Sequence, residues 1–446
     1  MSDAVKILAG PVAGFFGLMA LSSGKSQGRG GGGSASAGPG QRRRRARDLQ
    51  DLPRSAALSH LYRSAEAASP PNRPPLGMFS ASALWEWARH YVAYVFHKKH
   101  PFPAYTDSPQ HAIYDLLDEK GTENVRIALA GDWGTGTEEA ESVATQMLEF
   151  APHFTIHIGD VYYVGDLPEV NENCLGVRNP LNNYDPLTWP IGTRGSFALN
   201  GNHEMYANGT AYFELFLPRL GLRGAAGSML GQQTSFFCLQ NSHWRIVAVD
   251  TGYNSIGIPI LAHIPLINRI PGVGGDCRLP DPLMEWLRGV FVPDQDKRGL
   301  VILSHHQYYS GFQEEYRRPA QQLWEAGVRR PMLWFWGHEH RLAGYDLYGQ
   351  DDLKCFGRCV GHGGMPIDRG DAQHDPRPVF WDDRLAANGY GVNGHVNLSF
   401  AGPNLTAVYA DLDGNNLLEE QWSVDANGGV QQVARKRLTD DPDFHA

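Results

Sequence analysis

Five short polar clusters in this sequence are built from residues that bind metal ions or move protons. They are Gly131-Asp132-Trp133-Gly134, Gly159-Asp160-Val161-Tyr162-Tyr163, Gly201-Asn202-His203-Glu204, His305-His306 and Gly337-His338-Glu339-His340. Imidazoles and carboxylates suit zinc, manganese, iron and nickel, and one carboxylate can bridge two ions. A neutral Asn amide oxygen fixes geometry without adding charge. These donor types fit two adjacent metals in one site. A structural zinc knuckle is disfavoured, because Cys174, Cys238, Cys277, Cys355 and Cys359 form no CxxC pattern. Taken singly, each cluster has a plainer reading: a lone Gly-Asp is usually a turn, and paired histidines can simply be solvated. The coincidence of all five carries the argument.

Each cluster follows an apolar, strand-like run. The runs are Val125–Ala130, Phe154–Ile158, Ser196–Leu199, Leu300–Leu303 and Met332–Trp336. In α/β sheets the carboxyl ends of strands border the crevice where ligands bind, and glycine there permits sharp turns and close approach. Further strands are expected at Ser235–Leu239, Trp244–Val249, Val396–Phe400 and Thr406–Leu412, with a hairpin turn at Asn241-Ser242 and a helix over Glu138–Phe150. Short βα units mixed with a hairpin predict an α/β fold with two sheets rather than one doubly wound sheet.

The ordered set GD, GDxxY, GNHE, a strand ending in His, and GHxH resembles the calcineurin-like metallophosphoesterase superfamily. Its first two motifs resemble the purple acid phosphatase branch. Most of the superfamily carries Asp-x-His first, and that His ligates one metal; here the position is Gly134. Purple acid phosphatases supply instead a tyrosinate three residues after the bridging Asp, the place of Tyr163 relative to Asp160. The resemblance implies a four-layer αββα sandwich of two mixed sheets flanked by helices. It implies a first metal held by Asp132, Asp160, Tyr163 and His340, and a second held by Asp160, Asn202, His305 and His338. If Tyr163 ligates, the first would be Fe(III) and the second zinc, manganese or Fe(II); otherwise both would be divalent manganese, zinc or iron. Tyr162 is the alternative ligand, and Asp166 is a nearby carboxylate without a place. His203 would face the substrate as the acid that protonates the leaving group, with His306 a second candidate there. His157 reads as a core histidine and His362 as lining a loop near the site.

The implied reaction is hydrolysis of phosphate esters by in-line attack of a metal-bound hydroxide, with phosphomonoesters as substrates in the purple acid phosphatase manner. Phosphodiesters (nucleotides, nucleic acid or phospholipid headgroups) are the alternative on the same site. A non-catalytic binding or scaffold protein with this fold is the alternative of another class. Its signature would be missing ligands, and no ligand position is empty once Tyr163 is admitted.

Composition bounds the rest. Hydrophobic residues at 42% and charged residues at 20% are ordinary for a globular chain. A net charge of −9 over 446 residues argues against a dedicated nucleic-acid binder, yet suits an anionic substrate if metals supply positive charge locally. Residues 1–75 read as a tail: an apolar start (Ile7–Leu21), a Gly/Ser-rich stretch and an arginine run, Arg42–Arg47. The apolar start reads as a signal segment, a membrane-proximal anchor or a plain apolar tail, so the compartment stays open, with a lean towards export or membrane association. Residues 76–120 are expected to form a helical extension, with a helix over Ser80–Lys99, and 121–446 the catalytic domain. The expected partners are a small phosphorylated substrate and, through the basic tail, a membrane surface or polyanion; no obligate protein partner is evident.

Overall fold

Alternating side chains set the layers. The computed structural model describes residues 98–105, 112–178, 185–256, 275–291, 296–350, 352–386 and 389–446. Among these, one sheet runs β1 (Ile113–Asp115), β6 (Phe237–Gln240), β7 (Trp244–Ala248), β8 (Gly299–Ser304), β9 (Met332–Trp336), β11 (Cys355–Val360), β10 (Leu342–Tyr348), β12 (Phe380–Asp382) and β17 (Phe444–His445). The other runs β16 (Val430–Arg437), β15 (Asn416–Val424), β14 (Asn404–Asp411), β13 (Gly394–Ala401), β2 (Val125–Ala130), β3 (Phe154–His157), β4 (Gly195–Ala198) and β5 (Gly221–Leu222). Strands β7, β8, β9 and β11 are parallel neighbours, as are β2, β3 and β4, while hairpins complete both sheets. Both sheets are therefore mixed, as expected.

Successive residues of a strand face opposite sides. In β2, Ile127 and Leu129 join the large core that unites the two sheets, whereas Ala128 and Ala130 join a second core. Helix α1 (Glu138–Glu149) covers that second face with Ala140, Val143, Ala144 and Met147, one stripe at helical spacing. Thr137 caps α1 by accepting from the Ala140 N–H, and three glutamates occupy its first turn. Small alanines on the strand let the helix approach closely. On the other side, α4 (Asp281–Val290) and α5 (Arg317–Glu325) follow β7 and β8 and bury Leu283, Leu287, Ala320 and Leu323 in the core of the nine-stranded sheet. The result is the αββα sandwich. A buried ion pair ties the sheets together: Arg358 of β11 donates to Glu420 of β15 at 2.7 and 2.8 Å.

One expectation needs correction, and others fall outside the described residues. The expected tail over 1–75 and the helix over Ser80–Lys99 lie outside the described residues, apart from Lys98 and Lys99, which are not helical. Residues 113–115, assigned to a helical extension, form β1 and pair with β6. The segment 98–105 packs on the sandwich, with the His100 N–H donating to the Asn208 carbonyl and the Tyr253 hydroxyl to the His100 carbonyl. All five cysteines are buried and free, and Cys355 and Cys359 lie at separate places along β11.

Candidate metal centre

The two parallel strand sets present their carboxyl ends to one place. Asp132 follows β2, Asp160 follows β3, His305 and His306 follow β8, and His338 and His340 follow β9. Asn202 and His203 open the short helix α3 (Asn202–Tyr206) after β4. Asp132, Asp160 and His338 all have left-handed backbones, with φ of 59°, 71° and 67°. Such conformations cost energy in non-glycine residues and cluster where function demands an exact turn. Neighbouring glycine makes the packing possible: a Cβ on Gly201 would stand 2.0 Å from Asp160 Oδ1.

Asp160 is the meeting point. Its Oδ2 lies 3.2 Å from His305 Nε2 and 3.8 Å from His203 Nε2, and its Oδ1 accepts from the His203 N–H at 3.0 Å. Asn202 Oδ1 is 3.1 Å from His305 Nε2 and 3.0 Å from His338 Nδ1. On the other side, Asp132 Oδ1 accepts from the Tyr162 hydroxyl at 2.7 Å and lies 3.6 Å from His340 Nε2. That hydroxyl is also 3.2 Å from Asp160 Oδ2 and 3.0 Å from His340 Nε2.

Backbone carbonyls hold the far nitrogens of His305 and His203. His305 Nδ1 meets the Ile158 carbonyl at 2.8 Å, and His203 Nδ1 meets the Tyr163 carbonyl at 2.6 Å. Only an N–H can pair with a carbonyl, so both rings present a bare Nε2 to Asp160 when neutral. His306 Nδ1 pairs with Thr251 Oγ1 at 3.1 Å, and His338 Nε2 lies 3.4 Å from the Tyr316 hydroxyl. This is the outer support that metal-ligating histidines usually have. Thr251 and Tyr316 were invisible to motif reading, since neither belongs to a cluster.

Of the two candidate tyrosines, the alternative, Tyr162, meets the carboxylates. The Tyr162 hydroxyl reaches Asp132, Asp160 and His340, while burial, with Tyr206 and Glu169 nearby, raises Tyr163 well above its ordinary range. The cause is local. Gly134 and Val161 form a bridge in which the Tyr162 N–H donates to the Gly134 carbonyl. That pairing points the side chain of 162 at the carboxylates, and Tyr163 contributes its carbonyl, to His203. The bridge also explains why no side chain occupies 134: a Cβ there would come within 2.9 Å of Val161 Cα. Asp166 is not a ligand but the N-cap of α2 (Leu167–Cys174), accepting from the Glu169 N–H at 3.1 Å. Glu204 gains a role, its Oε2 accepting from the N–H groups of Gly201 (2.9 Å) and Asp160 (3.3 Å). His157 is a buried core residue between Trp133, Trp189 and Phe216. His362 is buried beside His395 and Asp411, behind the turn that carries Asp132.

Electrostatics favour a cation here. Burial raises Asp132 to about 7, whereas Asp160 stays well below its ordinary range because His305 and His203 outweigh its burial. Burial pushes His338 down to about 3 and His340 to about 4, so both are neutral donors. His305 rises to about 10 against its own burial, held charged by Asp160. A proton on His305 and a cation beside it answer the same buried negative charge. Ligand atoms of Asp132, Asp160 and His305 lie within 4.8 Å of one another, and so do those of His305, His306 and His338. These overlapping groups lie around Asp160 and His305 and offer the donor types that bind metal ions.

Comparison with known proteins gives likenesses to solved structures and to one family model. Similar solved structures include purple acid phosphatase PPD1 from yellow lupin (Lupinus luteus) seeds, with 15% identity and TM-score 0.44 over 68% of this chain and 54% of that one. They also include PhoD (12%, TM-score 0.44, 71% and 73%) and a dimetal phosphatase from Danio rerio (12%, TM-score 0.38, 68% and 99%). The chain thus spans about half the length of the lupin protein. No curated protein sequence matches it. The family model for calcineurin-like phosphoesterases matches residues 125–342, from the start of β2 to the start of β10 and across all five motifs. Over that stretch, just under half of the chain, the sequence is similar to the calcineurin-like phosphoesterase family.

Proposed function

We propose that the chain is a metal-dependent phosphomonoesterase of purple acid phosphatase type. The observation that carries this is the pair of donor groups meeting at Asp160, one with Asp132, Tyr162 and His340, the other with Asn202, His305 and His338. Metals held there would supply positive charge to the phosphoryl oxygens and make water acidic enough to attack near neutral pH. If Tyr162 binds as a phenolate, a hard trivalent ion such as Fe(III) suits the first group and zinc, manganese or Fe(II) the second.

The surrounding residues prepare the transfer. His203 is fixed by the Tyr163 carbonyl at Nδ1, so a second proton can reside only at Nε2, on the side of Asp160. From there an imidazolium can protonate a departing alkoxide, help worth roughly 10²–10⁴-fold. His306, braced by Thr251, presents its remaining nitrogen beside His338. Tyr316, whose hydroxyl donates to Glu314 at 2.7 Å, lies against His338 from outside.

The test uses chelator-stripped protein before and after loading with manganese, zinc or iron. The expected result is release of nitrophenol from p-nitrophenyl phosphate only after loading, faster than from bis(p-nitrophenyl) phosphate. A preference for the diester would replace this reading with a phosphodiesterase, and no hydrolysis of either with any metal would support a binding protein.

A further inference from the structure

We infer that Asn173 is a positioning residue that decides which tyrosine of the Tyr162-Tyr163 pair enters the metal centre; this rests on the metal-centre reading above. Asn173 lies on α2, beyond the glycine-aspartate turn that starts the helix, and its side chain is buried. Its amide nitrogen donates to the Tyr162 carbonyl at 2.8 Å and to the Gly134 carbonyl at 3.1 Å. One –NH2 group thus staples the turn after β2 to the turn after β3, on either side of the Gly134–Val161 bridge.

The staple fixes register. The Gly134 carbonyl receives both the Tyr162 N–H (3.0 Å) and the Asn173 amide. With the Tyr162 carbonyl pinned, its ring is delivered to Asp132 and His340, and the next carbonyl, that of Tyr163, falls on His203 Nδ1. A slip by one residue would lose the bridge, both staple bonds and the His203 contact together. The α2 cap formed by Asp166 and the bonds from the Val164 and Gly165 N–H groups to Glu169 Oε2 hold the helix that carries Asn173 against this loop. A purely structural amide would stabilise the fold without caring whether position 162 carries a hydroxyl. A register-setting amide acts on the metal only through that hydroxyl.

The experiment is a double-mutant cycle on the full chain, read as Mn²⁺ affinity of the stripped protein by calorimetry. The variants are Asn173→Leu, the smaller Asn173→Ser in case leucine unfolds the chain, Tyr162→Phe, and each combination with Tyr162→Phe; thermal melts confirm folding. Asn173→Leu or Asn173→Ser is expected to weaken Mn²⁺ binding about tenfold, because the Tyr162 hydroxyl loses its place beside the Asp132 carboxylate, and to weaken it no further when Tyr162 is already Phe. Multiplying losses, or an effect of Tyr162→Phe with none from either Asn173 variant, would overturn the inference while leaving the metal centre intact. If Mn²⁺ binding ignores Tyr162→Phe and Asp160→Asn as well, the metal-centre reading itself fails and the inference falls with it.

Discussion

Replacing Tyr162 by Phe deletes one oxygen and nothing else, which makes it the sharpest probe of how this centre is built. The hydroxyl has three polar neighbours: Asp132 Oδ1 at 2.7 Å, His340 Nε2 at 3.0 Å and Asp160 Oδ2 at 3.2 Å. The shortest contact is a hydrogen bond to a fully buried carboxylate. Bonds of this kind contribute about 1.5–3 kcal/mol, because the acceptor cannot turn to water instead. At about 1.4 kcal/mol per decade, losing this oxygen should weaken metal binding at the first position roughly 10- to 100-fold. Tyr163→Phe should change it by less than about threefold, since Tyr163 has Tyr206 and Glu169 nearby, and the carbonyl that holds His203 is retained. The assay is Mn²⁺ titration of stripped protein, with the iron-loaded form examined for a visible absorption band. A large loss from Tyr163→Phe and a small one from Tyr162→Phe would refute the assignment and restore the one expected from motif spacing.

Three further outcomes follow from the geometry. His203→Ala should slow hydrolysis of alkyl phosphates at least tenfold more than aryl phosphates, whose leaving groups need little protonation; equal losses would remove His203 from the acid role. Glu420→Leu should destabilise the chain by about 3–5 kcal/mol in urea unfolding by stranding the buried Arg358, while Arg358→Leu with Glu420→Leu should recover much of that loss. Burial pushes His362 to about 3 and His395 to about 4, next to Arg384 and Asp411, against 6.5 for an ordinary histidine. The unfolded chain therefore binds these protons first, and stability is lost as pH falls from about 6.5 towards 4, by up to about 1.4 kcal/mol per pH unit for each imidazole. Replacing both by Asn should flatten that acid limb of stability against pH.

Much of this was legible in the residues, and the parts that were not have physical causes. Strands β2 and β9 match Val125–Ala130 and Met332–Trp336 because both are apolar runs ended by Gly-Asp or Gly-His. The donor clusters could be placed for the same reason: each lies where a buried strand must turn. Strands β15 and β16 escaped, since Asn416–Val424 and Val430–Arg437 carry many polar residues, and most of β16 faces solvent. The choice between Tyr162 and Tyr163 stayed open because spacing counts positions, whereas the Gly134–Val161 bridge and the Asn173 staple act on where a side chain points. Asp166 looked like a spare ligand because a helix cap and a metal ligand are the same residue type at a turn. Glu204, Thr251 and Tyr316 act through backbone N–H groups or ring nitrogens of other residues, a relation that only the folded chain displays.

The central claim is that two metals share one site bridged by Asp160, and metal stoichiometry tests it most directly. Stripped protein titrated with Mn²⁺, with bound metal counted by elemental analysis after desalting, should take up two equivalents. Asp160→Ala should retain fewer than one, because each donor group loses its shared carboxylate, with the fold intact by circular dichroism. A single equivalent in the wild type, or two equivalents unaffected by Asp160→Ala, would contradict the account.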